Sequence, residues 1–383
     1  MKRFQPRLAT FSLALIGASL ANFGGCPQPA PSDDGQSNGP PIVGNPDGNG
    51  NGGGGGGGNG GGGGGGGGTL DRSLLVRPSS PTLFVTEGIR GVMTFANANT
   101  INGNIAPTAF IANRSLVQTG IAAPEGVCVD RTGTLIVYDG SVPSLVLYQN
   151  AAAAVNDRAP TREITGAGTK LARFAPDGLA VDRVNDRVFV AAGDRIMMFE
   201  GADLSKNGDT PPTRFFSSAA LPGAGAIALG PNGDLYVSND DDQVLVFNAA
   251  ATRSGAISPD RVISLTGYRT DGVFVDAEDR LYVSDFDRIA VMDNAAALNG
   301  LVNTFSEMRV QGVQAEDSSG LRQVCIVALA VDSRGIGYAC DRCNGAVYMI
   351  DGIARKTGDV TPNRAITGGN TRLPAPTAIF LWE

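Results

Sequence analysis

Carboxylate and amide side chains recur at two kinds of position where they could bind a cation. Some stand directly before a glycine or small residue that opens a short apolar run, and others stand directly after a second apolar run. The first kind comprises Glu125, Asp177 and Asp271, and the second comprises Glu87, Asp139, Asn239 and Asp285. Oxygen atoms of these groups are the ligands that Ca²⁺ and similar hard divalent cations prefer. They form a candidate site for a divalent cation or another charged ligand.

The composition excludes several kinds of chemistry. The sequence has no histidine, so it lacks the usual general base near neutral pH and every Ser/His or Cys/His nucleophile pair. The formal net charge is −7, whereas binding to nucleic acid needs a basic face that neutralises phosphates. We therefore expect no nucleic-acid partner, and any catalysis must use carboxylate, amide, tyrosine or cysteine side chains.

A sequence repeat of four parts positions these residues, and it recurs about every 50 residues. In one copy its parts cover residues 124–130, 134–139, 145–150 and 160–164. Each part is a short alternating or β-branched run bounded by turn residues, which predicts four antiparallel strands per copy. The first part returns at residues 176–182, 225–230, 271–276 and 327–332, and the second at 188–190, 235–239, 281–285 and 336–340.

The two ends of the repeat array complete one another. The first copy, residues 81–115, has no innermost strand, while the chain ends on an innermost strand at residues 376–382 with nothing after it. Pairing residues 378–382 beside residues 83–87 completes a sixth unit and removes the open sheet edges of a linear array. Residues 72–383 are therefore predicted to form an all-β, six-bladed β-propeller of four-stranded antiparallel blades, closed by the C-terminal strand.

In such a blade the first strand begins, and the second ends, on the same face beside the central channel. The first set of positions around the ring is Thr377, Glu125, Asp177, Gly225, Asp271 and Val327. The second set is Glu87, Asp139, Ala192, Asn239, Asp285 and Cys340. One mouth of the channel is thus predicted to be acidic. By contrast, Asp130, Asp182, Asp276 and Asp332 end first strands at the opposite face, where we expect them to accept hydrogen bonds in turns.

This sequence repeat resembles the repeats of NHL-type propellers, in particular those of extracytoplasmic bacterial proteins. The resemblance covers nearly all of residues 72–383, through P-x-G-aliphatic-x-V-D at 124–130 and 176–182, L-Y-V-x-D/N at 235–239 and 281–285, and P-x-R-x-I at 259–263 and 362–366. It implies the propeller fold, which hosts binding proteins and enzymes alike.

Two strand starts are also similar to the metal-binding strand starts of gluconolactonase-like propellers, namely Pro124-Glu125-Gly126 and Thr270-Asp271-Gly272. This resemblance implies a divalent cation held by Glu125, Asp177, Asn239 and Asp271 and a metal-dependent hydrolysis of small lactones or esters. The sequence departs from that family's pattern at Gly225 and Val327. The structural alternative is that the acids suit turns entering strands, and that Asp or Asn after a second strand caps a loop.

The N-terminal region predicts export. Residues 1–25 combine three basic residues with an apolar run at 8–21 that is too short to span a bilayer, as in a signal peptide. Residues 23–26, Phe-Gly-Gly-Cys, resemble a bacterial lipobox, which implies a lipid on Cys26; ordinary cleavage after residues 19–21 is the alternative because Phe23 replaces the usual leucine. Residues 26–71 are Gly-rich and polar and are predicted to form a disordered tether.

The remaining cysteines fit an oxidising compartment. Cys325 precedes a first strand whose neighbour ends near Cys340 and Cys343, so a disulfide from Cys325 to either of them is sterically feasible. The C-x-x-C pair at 340–343 is the alternative, as a redox or metal half-site.

Two functional hypotheses follow. The favoured one is a monomeric, non-catalytic module at the cell envelope that binds a protein or small-molecule ligand, attached to a membrane by its N-terminal lipid. The alternative is the metal-dependent hydrolase.

Overall fold

The computed structural model describes residues 74–112, 119–151, 158–172, 178–239, 241–312 and 323–383. The strands form six sheets in a ring, which confirms the predicted six-bladed β-propeller. Cys26, Asp177, the leader and the tether lie outside the described residues. Within the described part, no helix is long and apolar enough to cross a membrane.

The first nine strands in chain order are β1 (Thr82–Glu87), β2 (Gly91–Ala96), β3 (Ala109–Ala112), β4 (Pro124–Val129), β5 (Leu135–Asp139), β6 (Ser144–Tyr148), β7 (Arg162–Thr165), β8 (Leu179–Asp182) and β9 (Arg187–Ala192). The next nine are β10 (Arg195–Glu200), β11 (Arg214–Ser217), β12 (Ile227–Leu229), β13 (Leu235–Asn239), β14 (Gln243–Phe247), β15 (Gly255–Ala256), β16 (Arg261–Leu265), β17 (Gly272–Val275) and β18 (Leu281–Asp285). The last nine are β19 (Arg288–Met292), β20 (Gly300–Val302), β21 (Ser306–Val310), β22 (Ile326–Val331), β23 (Ile336–Asp341), β24 (Ala346–Asp351), β25 (Gly358–Val360), β26 (Arg364–Thr367) and β27 (Pro376–Trp382). Short helical elements cover Ala167–Thr169, Gly201–Leu204, Ala250–Thr252, Ala295–Ala297, Ile353–Arg355 and Gly369–Thr371.

From the channel outward, the sheet orders of blades 1 to 6 are β27-β1-β2-β3, β4-β5-β6-β7, β8-β9-β10-β11-β15, β12-β13-β14-β16-β20, β17-β18-β19-β21-β25 and β22-β23-β24-β26. The first four strands of each blade are antiparallel to their neighbours. We call the face where first strands begin and second strands end the mouth face, and the other the opposite face.

The C-terminal strand closes the ring as predicted. β27 pairs antiparallel with β1, and the partners run from Thr82 with Trp382 to Thr86 with Ala378. Trp382 is 1% exposed, and its ring lies 6.3 Å from that of Phe84. The N-terminal and C-terminal parts of the folded domain therefore share one sheet.

Aspartates at the ends of first strands shape the hairpins of the opposite face. Asp130 Oδ1 accepts hydrogen bonds from the backbone N–H groups of Thr132 at 2.8 Å and Thr134 at 2.9 Å. Asp182, Asp276 and Asp332 likewise accept bonds from backbone N–H groups two to four residues further on. The predicted role of these aspartates as turn acceptors is confirmed.

The apolar core lies between neighbouring blades. Six clusters of buried side chains each join residues of two adjacent blades, so every blade is packed on both faces. The blades converge at the axis, where a Cβ on Gly272 would lie 2.7 Å from the Ser284 Oγ and 2.8 Å from the Val327 carbonyl oxygen. Glycine at this position therefore permits the close approach of blades 5 and 6.

A fifth strand, which the sequence did not predict, covers the outer edge of three blades. In each case the connection between the third and fourth strands of one blade reaches back to the preceding blade. β15, β20 and β25 pair parallel with β11, β16 and β21, respectively. Single parallel bridges from Gly208 to Ile164 and from Gly103 to Ile366 extend the pattern to blades 2 and 6. Such cover blunts edges that would otherwise pair with other chains.

Arginines of the fourth strands also join neighbouring blades. Arg261 Nη1 donates to the carbonyl oxygens of Ala295 and Leu298, both at 2.9 Å, where the helical turn of blade 5 ends. Arg162 Nε donates to the Leu204 carbonyl oxygen of blade 3 at 2.9 Å. The planar guanidinium serves these carbonyls because it holds several donors in a fixed geometry.

Candidate functional site

The candidate residues that the structure describes lie on the mouth face, although they do not all lie together. Glu125 is the second residue of β4, and Asp271 directly precedes β17. Glu87, Asp139, Asn239 and Asp285 are the last residues of β1, β5, β13 and β18, and all four are buried. In each blade the first and second strands run antiparallel. The start of the first strand and the end of the second therefore lie at the same end of the sheet.

Asp139 holds two connections of blade 2 together. Its Oδ1 accepts hydrogen bonds from the backbone N–H groups of Ala123 at 3.3 Å, Ser141 at 3.0 Å and Val142 at 3.2 Å. The Ser141 hydroxyl donates to the same atom at 2.9 Å, and the Ala122 N–H donates to Oδ2. The carboxylate thus ties the connection entering β4 to the hairpin after β5.

Asp341 has the same role in blade 6. Its Oδ1 accepts from the backbone N–H groups of Cys325 and Cys343, both at 3.0 Å, and of Asn344 at 3.3 Å. Its Oδ2 accepts from the Asn344 side-chain amide at 2.7 Å and from the Tyr348 hydroxyl at 2.9 Å. Asp341 is fully buried, so these hydrogen bonds replace those that water would make with an exposed carboxylate.

The assignment of Cys340 to the last position of a second strand was wrong by one residue. β23 continues to Asp341, which pairs with Ala346, while Cys340 is buried inside the strand. A signal was present in the sequence: Tyr236 and Tyr282 stand three residues before the ends of β13 and β18, and Tyr338 stands three residues before Asp341. Aligning the tyrosines places Asp341 beside the other mouth residues.

A disulfide lies at this position of the mouth face. Of the two partners that the sequence allows for Cys325, the structure pairs it with Cys343, at a Cα–Cα distance of 5.4 Å. The bridge joins the connection entering β22 to the hairpin between β23 and β24. For the sequence separation of 18 residues, the chain-entropy model assigns a stabilisation of about 3 kcal/mol.

Glu87 and Asn239 contact the hairpins that follow them. Glu87 is 3% exposed, and its Oε2 accepts a hydrogen bond from the Arg90 N–H at 2.7 Å. Burial raises the pKa of Glu87, while that N–H and the charges of Arg90 and Arg342 oppose the shift. Asn239 Oδ1 accepts from the N–H groups of Asp241 at 3.2 Å and Gln243 at 3.0 Å. Both residues stabilise the turns between second and third strands.

Asp271 lies near charged groups of both signs. Its Oδ2 accepts from the Phe286 N–H at 3.4 Å, and its Oδ1 lies 3.8 Å from a guanidinium nitrogen of Arg269. Burial raises the pKa of Asp271, and the charges of Asp285 and Asp242 raise it further, against the effects of Phe286 and Arg269. Two neighbouring carboxylates therefore act on Asp271 here.

Glu125 lies over the hairpin of its own blade. A Cβ on Gly140 would fall 2.0 Å from Glu125 Oε2, so a side chain at that position would displace the carboxylate. Among the described residues, no three Cys, Asp or Glu side chains are grouped closely enough to share a metal ion. The predicted ligand set also includes Asp177, which lies outside the described residues.

Below the mouth, the channel wall is apolar. The innermost strands contribute an upper ring of side chains, Val127, Leu179, Ile227, Val273, Leu329 and Ile379. A lower ring includes Val181, Leu229, Val275, Val331 and Leu381. The channel cavity has a volume of about 180 Å³, and Glu383 lies at its lower end. Charged groups thus occur at the ends of the channel and not along its wall.

Comparison with known proteins supports the fold alone. No family model and no curated protein matches the sequence. A chain from the crystal structure of a nidogen/laminin complex is similar over 79% of this chain and 97% of its own, with 14% identity and a TM-score of 0.52. A protein of unknown function from Bacteroides caccae is similar over 80% of this chain and 100% of its own, with 11% identity and a TM-score of 0.51. At these identities the likeness concerns architecture and not activity.

Proposed function

We propose that this protein is a non-catalytic, monomeric binding module of the cell envelope and that its mouth face binds a partner protein. In this proposal residues 1–25 direct export, a lipid on Cys26 anchors the chain to a membrane, and residues 26–71 form the tether. A Gly-rich coil of that length spans roughly 35 to 40 Å. The domain can therefore reach partners away from the membrane surface.

The length of the connections carries the proposal. On the opposite face, first and second strands are joined by four or five residues, and third and fourth strands by twelve or thirteen. The connections that start and end on the mouth face, from the fourth strand of one blade to the first strand of the next, range from six to fifteen residues. Binding loops are typically found on the face where the connections differ in length from repeat to repeat, while the strands that carry them stay uniform.

Surface chemistry and cavity size also support a protein partner. Ile89, at the tip of the β1–β2 hairpin, is 73% exposed, and Arg90 and Arg342 are exposed on the same face. Apolar and arginine side chains are typical of protein interfaces. The channel cavity, at about 180 Å³, is smaller than the roughly 300 to 1,000 Å³ of drug-sized ligand pockets. A partner would thus contact the face without entering the channel.

Site-specific photo-cross-linking in cells tests the binding face. A photoreactive amino acid replaces Ile89 on the mouth face, and a matched control replaces Val184 on the opposite face, because these side chains are 73% and 74% exposed. We expect an adduct of discrete mass from position 89 and none from position 184. Adducts from position 184 alone, or from neither position, would refute binding through the mouth face.

The anchor is tested separately by fractionation. Wild-type protein is expected in the membrane fraction, and Cys26→Ser in the soluble exported fraction, because a lipid adds about 0.8 kcal/mol of membrane affinity per buried CH₂. Equal membrane association of both proteins would contradict lipidation of Cys26.

Metal-dependent hydrolysis of a small lactone or ester is the second candidate function. The observation that favours it is that the charges of Asp285 and Asp242 act on the buried carboxylate of Asp271, because a divalent cation would offset this repulsion. In this hypothesis Glu125, Asp177, Asn239 and Asp271 hold the cation. Ca²⁺ at 100 times its Kd would then add about 2.7 kcal/mol to the free energy of unfolding.

Thermal unfolding with Ca²⁺ and with chelator tests this candidate. If this candidate is correct, Ca²⁺ raises the Tm of wild type and of the control Asp287→Asn, and does not raise that of Asp271→Asn. If no variant responds to Ca²⁺, Zn²⁺ or Mn²⁺ in stability or in a lactone assay, the hydrolase hypothesis is rejected.

A further inference from the structure

Blades 1 and 6 contact one another at the outer rim as well as at the channel. Gly103 of blade 1 donates its N–H to the Ala365 carbonyl oxygen of β26 at 2.6 Å. The Ala365 N–H in turn donates to Asn102 Oδ1 at 2.9 Å, and the Thr367 N–H to the Gly103 carbonyl oxygen at 3.4 Å. Asn102 and Gly103 thus form hydrogen bonds with both the N–H and the carbonyl oxygen of Ala365 in the fourth strand of blade 6.

The contact continues along the connection that leads to β27. The Asn370 N–H donates to Asn104 Oδ1 at 2.8 Å, and the Arg372 guanidinium lies 4.5 Å from the centre of the Phe110 ring. We call residues 102–104 together with residues 364–372 the outer clasp. Only residues 373–375 separate it from β27, which begins at Pro376.

An equivalent set of contacts joins blades 2 and 3 inside the ring. There Gly208 donates to the Glu163 carbonyl oxygen at 2.8 Å, the Glu163 N–H donates to Asn207 Oδ1 at 2.8 Å, and the Thr165 N–H donates to the Gly208 carbonyl oxygen at 3.1 Å. Further along, the Gly168 N–H donates to Asp209 Oδ1 at 2.7 Å, and Lys170 lies 4.9 Å from the centre of the Phe215 ring. We call this set the internal clasp.

The matching sequences explain the matching contacts. The outer strands and the turns after them read Ile-Thr-Gly-x-x-Thr-Arg-Leu at 366–373 and Ile-Thr-Gly-x-x-Thr-Lys-Leu at 164–171. Lys170 and Arg372 both have positive φ, at 61° and 60°, which directs each cation towards the next blade. The outer clasp joins residues more than 260 positions apart, whereas the internal clasp joins residues about 40 apart.

We propose that the ring is closed twice, by β27 at the channel and by the outer clasp at the rim, and that the clasp is the strap that keeps β27 in place. When β27 detaches from β1, the clasp still holds the start of the connection on blade 1. The short remaining segment keeps the strand at high effective concentration beside its partner. Loss of the clasp leaves β27 attached through blade 6 alone and increases the opening of the seam.

Hydrogen exchange of the full chain tests the proposal with a matched pair of variants. Gly103 and Gly208 have positive φ, at +88° and +77°, and a Cβ on either would meet no atom within 4 Å. Valine at either position therefore strains the backbone of one clasp in the same way. We expect Gly103→Val to accelerate exchange of the β1 and β27 amides about tenfold or more, because their protection depends on closing of the seam. Gly208→Val should leave these amides within about twofold of wild type.

Milder variants keep the test valid if a valine variant does not fold. Asn104→Ala removes the acceptor for the Asn370 N–H, and Asp209→Ala removes the matching acceptor in the internal clasp. Asn104→Asp installs the residue that the internal clasp uses and should retain wild-type exchange. Unchanged exchange of β1 and β27 in Gly103→Val, or equal acceleration by the internal-clasp variant, would overturn the proposal.

Discussion

Deletion of residues 376–383 is expected to abolish the cooperative unfolding transition of the folded domain. The deletion removes β27, exposes the paired edge of β1 and empties the space of Trp382, which is 1% exposed. Truncating one buried tryptophan costs about 3 to 5 kcal/mol, and a typical domain has only about 5 to 15 kcal/mol in total. Thermal melts followed by far-ultraviolet circular dichroism measure the effect.

A peptide supplied in trans provides the control. Residues 374–383 as a synthetic peptide should restore a cooperative transition by adding the missing strand to blade 1, whereas a scrambled peptide should not. A truncated protein that kept the stability of the full chain would contradict closure by β27. The outer clasp remains in the truncated chain, so a residual transition would measure what the clasp contributes without the inner strand.

Replacement of Asp341 by alanine is expected to lower the free energy of unfolding by about 3 kcal/mol or more. The change removes the carboxylate that accepts hydrogen bonds from the N–H groups of Cys325, Cys343 and Asn344 and from the Tyr348 hydroxyl. Hydrogen bonds to a charged group contribute more to stability than neutral ones, and Asp341 is fully buried. Urea denaturation under oxidising conditions, which keep the disulfide intact, measures the difference.

Asp194→Ala is the matched control on the same face. Asp194 also lies in a hairpin after a second strand, but its side chain is 54% exposed and pairs with Arg195. Exposed ion pairs contribute at most about 1 kcal/mol. Asp341→Asn, which keeps one carbonyl acceptor, should lie between the two. If Asp341→Ala and Asp194→Ala had equal effects, Asp341 would not be the residue that organises this part of the mouth.

The repeat made the fold predictable. Four short strands per copy, turn residues between them and unmatched ends were sufficient to predict six blades and the pairing of residues 378–382 with residues 83–87, which the register confirms. The turn role of Asp130 and its equivalents was predictable as well, because an aspartate binds backbone N–H groups only two to four residues away. Such contacts depend only on the spacing of residues that are close in the chain, and this spacing can be read directly from the sequence.

The candidate site was predictable only in part. The repeat placed Glu87, Asp139, Asn239 and Asp285 correctly at the ends of second strands, but it stopped one residue short of Asp341. A shift of one residue at a strand end changes the face of the side chain, so an error that is small along the chain is large in space. The choice of Cys343 over Cys340 as the partner of Cys325 has the same origin, because disulfide formation requires a specific distance and direction between two Cβ atoms.

By itself, the sequence determined the blade count, the order of the four antiparallel strands in each blade, the closing strand and the side of the ring on which Glu87, Asp139 and Asp285 lie. The alternative that an Asp after a second strand caps a loop is confirmed for Asp139. Only the tertiary structure showed that Asp341 has the same role, that arginines connect neighbouring blades, and that Asn102 and Gly103 contact residues more than 260 positions away. The physical reason is the sequence separation of the contacting residues. The pattern of one repeat predicts contacts between residues that are close in sequence, whereas contacts between blades depend on how the complete ring packs.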